Sequence, residues 1–530
     1  MKIMIPMAGL GKRFLAAGIT TPKPLLPVEG MPVIEHIIHN FSFEDDFVFG
    51  VNEDHLKHTQ LGEVLQRLAP RASVVSMPYH KAGPIGVLRN MFPHALDQEP
   101  VIVNYCDFSW AWDYQDFKKT VAANGCDGAV VCYRGFHPHL VGPNLYATLD
   151  AEGLWMKAIQ EKHTWHGDKM KDWTSSGTYY FKNAGILKKA CREIEKHPDW
   201  KINGEFYVSQ LYQVMKDMGL KIFIYEIPFM LQWGTPEDME EYNYWSDIFR
   251  AKARPGAPAA THRMNVLTLM AGAGKRFSDA GYTLPKPLIP VDGKPMAVCA
   301  AQALPPGDRY FFLSRREGTN EPGRVEPEIK KYFPGARFLW IDRLTEGQAA
   351  TALLAKGLVP EDEPLLIGAC DHGLILDQGK FDSMTAEGSG TDALIFTYRH
   401  YPPVRRNPKA YGWVETGGAG AVRRVSVKVP LEGDPALRHA ISGAFWFRRA
   451  GIFFAAAEQM IREDDRVNNE FYIDQAMNHA VRAGHKVKVF EAEKHVGWGT
   501  PDDLRTYEYW QRFFSQAWFH PYAGAKTAHA

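Results

Sequence analysis

MAGLGKRFLAAGITTPKPLLPVEGMP at residues 7–32 returns as MAGAGKRFSDAGYTLPKPLIPVDGKP at residues 270–295. At a constant offset of 263, 18 of the 26 positions are identical without a gap. The correspondence runs on, the offset drifting only to 266. NYCDF (104–108) answers GACDH (368–372), SSGTYYF (175–181) answers ISGAFWF (441–447), and NGEFYV (203–208) answers NNEFYI (468–473). WGTPEDMEEYNYW (233–245) answers WGTPDDLRTYEYW (498–510). A period of about 264 residues is far too long for a solenoid unit and matches a whole domain. The expected organisation is therefore a first domain over 1–250, an Ala- and Pro-rich linker over 251–263, a second domain over 264–522 and a loose tail over 523–530.

Within the first copy, apolar runs at 2–7, 47–51, 100–105, 128–132 and 221–227 read as buried strands. Residues 53–68, 112–124 and 207–218 read as helices. Strands alternating with helices predict an α/β domain with a mostly parallel central sheet in each copy. In such sheets ligands sit beyond the carboxyl ends of the strands. Both the glycine-rich segment after the first strand and the CDF segment after 100–105 fall there.

Composition narrows the chemistry. The 530 residues carry 61 Lys+Arg and 61 Asp+Glu, a formal net charge of zero. Long polyanions are usually held by a basic excess, so nucleic acid is not the expected partner. Hydrophobic residues at 45% and charged residues at 23% are those of an ordinary globular protein. No run of about 18 apolar residues predicts a membrane span, and the N-terminus lacks a signal-peptide layout. Six cysteines without zinc-type spacing, too few to staple the chain, point to a reduced, cytoplasmic protein.

Gly9-Leu10-Gly11-Lys12-Arg13 and Gly272-Ala273-Gly274-Lys275-Arg276 are either tight turns with exposed basic residues or anion-binding loops. Glycines allow close backbone approach, and Lys and Arg supply charge and forked donors. A P-loop is excluded because Arg follows Lys12 and Lys275. A dinucleotide fingerprint is excluded because Phe14 and Phe277 stand at its third glycine. Lys23 and Lys286, each between two prolines that stiffen the chain, are held on a rigid arm and directed at an anion. Asp107 and Asp371 end apolar strands, where a carboxylate is a natural ligand for Mg²⁺ beside substrate phosphates. Asp238 and Asp503 read as acids in the first turn of a helix begun by Thr-Pro. His139 and His163 have no matching His in the second copy and read as structural.

The full string G-x-G-x-R followed by P-K-P-L-x-P-V-x-G-x-P resembles the signature of the sugar-1-phosphate nucleotidyltransferases, the nucleotide-sugar pyrophosphorylases. The resemblance covers nearly all of both halves and implies two tandem GT-A-like, Rossmann-like domains. The CDF and QWGTPED variants look most like the branch associated with capsule and surface-polysaccharide synthesis. The implied reaction, of EC 2.7.7 type and Mg²⁺-dependent, joins a nucleoside triphosphate to a sugar phosphate or similar acceptor and releases pyrophosphate. By the same resemblance Gly9, Gly11, Lys12 and Gly83 would line the nucleotide, Arg13 and Lys23 would act on its phosphates, and Asp107 would hold the metal. Glu161 and Lys162 would meet the acceptor's hydroxyls and phosphate. In the second copy the roles fall on Gly272, Gly274, Lys275, Gly347, Arg276, Lys286, Asp371 and Lys428.

Two departures stand out. The second metal-binding Asp of many relatives is replaced by Gln232 and Gly497, and Val427 stands where Glu161 stands in the first copy, so the second acceptor pocket is expected to lack a carboxylate. The alternatives are a second half that binds nucleotide without turnover, which nucleotide binding without pyrophosphate release would reveal, and a glycosyltransferase, which the missing D-x-D motif disfavours. The mechanism needs no general base, because a phosphate oxygen is already ionised at neutral pH. Alignment and charge neutralisation then do the chemistry.

Overall fold

The computed structural model describes residues 1–42, 45–79, 83–143, 145–254, 260–316 and 321–525. The chain divides into two compact units, one formed by Met1–Asn243 with Gln516–His520, the other by Tyr244–Ser515 with the terminal residues from Pro521. The division falls inside the helix Pro236–Ala253 and not at the expected linker. The first residues of that linker, 251–253, continue the helix, and its last two open the strand His262–Met270; residues 255–259 lie outside the described part. The expected tail, 523–530, is described only in its first three residues. It starts within the helix Pro521–Ala525, where Tyr522 is buried and its hydroxyl accepts from Gln511 Nε2 at 3.2 Å; residues 526–530 are not described.

Among its described residues the first unit holds a nine-stranded sheet. Its order is Ser73–Met77, Asp46–Asn52, Lys2–Met7, Val101–Asn104, Trp173–Phe181, Gly128–Tyr133, Ile222–Glu226, Trp155–Glu161 and Ala147–Glu152. The first four run parallel. Trp173–Phe181 is antiparallel to both neighbours, and Trp155–Glu161 is antiparallel to both of its own. The sheet is thus mixed, and the parallel expectation holds only for that first block and for the pair of Gly128–Tyr133 with Ile222–Glu226. The reversal follows from the connection: the hairpin 147–161 returns the chain so that Trp173–Phe181 enters between two strands already running the other way.

Local chemistry accounts for the elements. Lys2–Met7 is apolar from Ile3 onward and buried there on both faces. Helix Tyr114–Asn124 starts where Asp113 accepts from the backbone N–H of Asp116 at 2.9 Å and stops at Gly125, which takes the left-handed conformation at φ 60°. Helix Ala184–Glu193 is capped likewise by Asn183, which accepts from the N–H of Ile186. The expected helix 53–68 is two helices, Glu53–His58 and Leu61–Leu68. Thr59 breaks it: its backbone is extended and its hydroxyl donates to the His55 carbonyl at 2.6 Å, the local competition that makes Thr a poor helix interior residue. One face of the sheet closes over helices Gly83–Met91, Ala184–Glu193 and Val208–Asp217 through Leu88, Met91, Leu187, Leu211 and Met215, all fully buried. Burying each such side chain contributes about 1.5–3 kcal/mol.

The second unit holds its own nine-stranded sheet among its described residues. Seven strands follow the same order, from Arg337–Ile341 through Gly307–Arg315, His262–Met270, Leu365–Ala369, His439–Phe447 and Ala393–Tyr398 to Val487–Glu491. The hairpin Gly412–Thr416 with Val422–Val427 joins His439–Phe447, as 147–161 joins Trp173–Phe181 in the first unit. This sheet is mixed for the same reason.

Candidate active site

In the first unit the chain leaves Lys2–Met7 through the loop 8–11. Gly11 sits at φ 64°, the left-handed region open to glycine, and from it starts the short helix Lys12–Ala16. Lys12 and Arg13 are both exposed; the Lys12 ammonium lies over the Tyr79 ring, 5.6 Å from its centroid. The Pro22-Lys23-Pro24 arm makes a single 3₁₀ turn, Lys23–Leu25, and brings the Lys23 Nζ to 3.1 Å from Asp107 Oδ2. Burial, the largest single influence, pulls the Lys23 ammonium downward, but Asp107 and Cys106 together outweigh it and the net shift is upward, so the lysine stays charged. A cavity of about 270 Å³ opens over this pair. Gly9, Gly11, Lys23, Gly83 and Asp107 line it, five of the residues expected from the sequence.

Tyr105, Glu205 and Tyr207 line the same cavity and are not among those expectations. Tyr105 is held by the Val208 backbone N–H, which donates to its hydroxyl at 3.2 Å. Residues 203–208 recur in the second copy, so the repeat itself is the signal that points to them. Arg13 is near enough to act electrostatically on Lys23, Tyr146 and Tyr207, which places it at the same edge.

Glu161 ends the strand Trp155–Glu161 and accepts a hydrogen bond from the Ser209 hydroxyl. Burial raises its carboxyl, against the pull of Ser209 and Lys162. Lys162 takes φ 55°, with its N–H on the Tyr146 carbonyl at 2.9 Å. Asp238 stands in the first turn of its helix, as expected, and its N–H donates to Oγ1 of the capping residue Thr235 at 3.1 Å. Its carboxylate has a second setting. A Cβ built on Gly234 would stand 3.5 Å from Asp107 Oδ2 and 3.6 Å from Asp238 Oδ2, so both carboxylates converge on the groove above that glycine. His139 is a packing residue, its Nε2 2.7 Å from the Tyr133 hydroxyl, and His163 packs edge-on to Trp165.

The second unit rebuilds the arrangement. Gly274 sits at φ 62° before the helix Lys275–Asp279, and Gly272 precedes it in the same loop. Lys286 Nζ donates to Asp371 Oδ2. Burial alone would raise the Asp371 carboxyl; the Lys286 ammonium, with His372 beside it, holds it far below the usual carboxylate range. Gly347, at φ 125°, precedes the helix Gln348–Leu353. Thr500 and Asp503 form a reciprocal capping box, which agrees with the helix-start reading of that acid. Lys428 takes φ 61°, as Lys162 does, and its ammonium donates to the Ala410 carbonyl. Arg276 acts electrostatically on both Lys286 and Lys428.

Residues 3–162 match the family model of the MobA-like NTP transferase domain. Among curated proteins, the chain is 23% identical over 237 residues to mannose-1-phosphate guanyltransferase beta-A of Xenopus laevis, covering 41% of this chain and 61% of that protein. It is 24% identical over 233 residues to mannose-1-phosphate guanylyltransferase catalytic subunit beta of Danio rerio, with the same coverage. The chain thus spans about three-fifths of the length of the curated relatives it matches. Among solved structures, the nucleoside-diphosphate-sugar pyrophosphorylase of Vibrio cholerae RC9 aligns at TM-score 0.38 and 21% identity, over 45% of this chain and 98% of that one. The inositol-1-phosphate CTP transferase of T. maritima aligns at TM-score 0.37 and 14% identity, over 49% and 99%. No helix among the described residues is long and apolar enough to cross a membrane.

Proposed function

We propose that this chain is a tandem nucleotidyltransferase. Each unit joins a nucleoside triphosphate to a sugar phosphate or related phosphorylated acceptor and releases pyrophosphate, in the synthesis of nucleotide sugars for surface polysaccharide. The observation that carries the reading is the Lys23–Asp107 pair under a glycine loop, in a cavity at the strand ends of a segment matching an NTP transferase family. The Lys286–Asp371 pair supports the same reading for the second unit and favours turnover there over passive nucleotide binding.

The chemistry follows from the groups present. The acceptor phosphate attacks the α-phosphorus without help from a base, its second ionisation, at about pH 6, being largely complete at about pH 7. Lys23 and Arg13 neutralise charge on the transferring and leaving phosphates, and Gly9 and Gly11 let the backbone approach them. Glu161 accepts from an acceptor hydroxyl, and Lys162 faces the acceptor phosphate. The donor set fits Mg²⁺: Asp107 offers a partly exposed carboxylate, Asp238 a second one nearby, and no group of three or more metal-binding side chains closes a cage among the described residues. Such a site suits an ion that keeps waters and takes its remaining ligands from substrate phosphates. When bound, Mg²⁺ would offset phosphate charge.

The test is pyrophosphate release with Mg²⁺, pairing CTP, UTP, dTTP, GTP and ATP with a panel of sugar 1-phosphates and inositol phosphates. Arg13→Ala and Arg276→Ala are each expected to lower one activity by about 10²–10³-fold and spare the other. A double variant with wild-type turnover would end the proposal.

A further inference from the structure

The second unit has not lost the acceptor-side carboxylate; it has moved it. Three positions differ together where the hairpin meets the following helix. Glu161 pairs with Ala147 across the first hairpin and accepts from Ser209 on the helix Val208–Asp217. In the second unit Val427 pairs with Gly412, and the residue matching Ser209 is Asp474, in the first turn of the helix Ile473–Arg482. The acid has gone from strand to helix, and the alanine opposite has become glycine.

The glycine is what admits the acid. A Cβ built on Gly412 would stand within clashing distance of Asp474 Oδ2, so the carboxylate occupies the space that Ala147 fills in the first unit. Asp474 is 9% exposed, and Val427 beside it is buried and apolar. A helix-start acid would ordinarily face water, where the dipole suffices to stabilise it; this one faces the sheet. Burial raises its carboxyl to about 6, and the opposing pull comes from Lys428. Lys428 and Asp474 feel each other's charge without forming an ion pair among the described residues, and Lys428 also feels Arg276. The two side chains thus lie close to each other, with Arg276 near Lys428.

We propose that Asp474 is the specificity-determining carboxylate of the second unit: it accepts a hydrogen bond from a hydroxyl of a phosphorylated polyol whose phosphate meets Lys428. The hydroxyl it reads lies on the helix side of the pocket, not the strand side, so the two units select acceptors of different hydroxyl pattern. This rests on the proposed transferase reading and specifies its second site.

The experiment uses the full chain carrying Arg13→Ala, so that only the second site is read. Nucleotide affinity is measured by calorimetry, as are affinity and KM for α-D-glucose 1-phosphate, α-D-mannose 1-phosphate, myo-inositol 1-phosphate and their deoxy derivatives. Adding Asp474→Asn is expected to raise the acceptor KM at least tenfold and leave nucleotide affinity within twofold. A deoxy acceptor lacking the recognised hydroxyl should treat both proteins alike. The triple exchange Gly412→Ala, Val427→Glu, Asp474→Ser is expected to bring the acceptor preference of the second site toward that of the first. Unchanged acceptor KM and preference in both variants would overturn the role of Asp474 with the transferase reading intact. Nucleotide binding with no acceptor bound or turned over would overturn the transferase reading of this unit, and the role of Asp474 with it.

Discussion

Asp474 also makes a prediction about stability. Its carboxyl titrates near 6 in the folded chain, against about 3.9 in an unfolded one. Well below about pH 3.9 the group is protonated in both states and contributes almost nothing. Between pH 4 and 6 the unfolded chain ionises first, so the folded state is progressively penalised, and above pH 6 the penalty is complete. A gap of that size corresponds to about 3 kcal/mol. Asp474→Asn is therefore expected to stabilise the second unit by about 1–3 kcal/mol at pH 7.5 and to be close to neutral at about pH 3, in urea titrations at both values. A residue kept at that cost in the resting protein is consistent with a group placed for a ligand. Of the candidate side chains, those within continuous motifs were legible: Gly9, Gly11 and Lys23 are set by the loop and the proline arm. Tyr105 and Ser209 were not, because each acquires its partner across long sequence separations, 103 and 48 residues, which no local pattern encodes.

Helices and strands differ in what their residues disclose. Alternating apolar runs made the parallel block readable, whereas Trp173–Phe181, WTSSGTYYF, hides a fully buried strand behind hydroxyls. Two of those hydroxyls find partners inside, Thr178 donating to Asn104 Oδ1 at 2.6 Å and Ser175 to the Tyr179 hydroxyl at 3.0 Å, while those of Thr174 and Ser176 are buried without one among the described residues. Polar composition therefore concealed the strand that makes the sheet mixed. At the element that opens the second nucleotide loop, Gly347 admits no side chain. A Cβ there would lie 2.5 Å from the backbone nitrogen of Phe471 and 2.6 Å from its oxygen. The backbone is pinned on both sides, with Ala349 donating to Phe471 and Phe471 to Glu346. Gly83, in the first unit, meets only the Glu205 side chain, nearest at 2.9 Å. Gly347→Ala is expected to destabilise its unit by more than about 2 kcal/mol and abolish nucleotide binding there, while Gly83→Ala, at φ 65° against the Glu205 Cβ, costs about 1–2 kcal/mol. Differential scanning calorimetry with and without nucleotide checks both.

At the scale of the molecule, the two-domain period was readable from the repeat, but the path of the chain was not. Gln516–His520 belongs to the first unit, where the Phe519 ring lies edge-on to His36 at 4.9 Å and Trp518 edge-on to His39 at 5.6 Å. Nothing in a short aromatic stretch announces a partner so far upstream in the chain. Burial holds the His36 imidazole below its ordinary value, its Nε2 2.9 Å from the Val28 carbonyl oxygen. Ending the chain at Ser515 is expected to lower the stability of the first unit by about 1–2 kcal/mol, with the loss of two aromatic contacts. It should also let His36 titrate closer to about 6.5, as followed by NMR.

That return path bears on how the protein is made. A ribosome adds about 5–20 residues per second. The 272 residues from Tyr244 to Ser515 (515 − 244 + 1) therefore take roughly 14–54 s to emerge. Throughout that interval the first unit waits, otherwise whole, with the Trp233 contact to the His36 ring available but the Phe519 contact unmade. Its last piece arrives only after Tyr244–Ser515 of the second unit has been synthesised, so a nascent chain stalled anywhere in that stretch carries an unfinished first half.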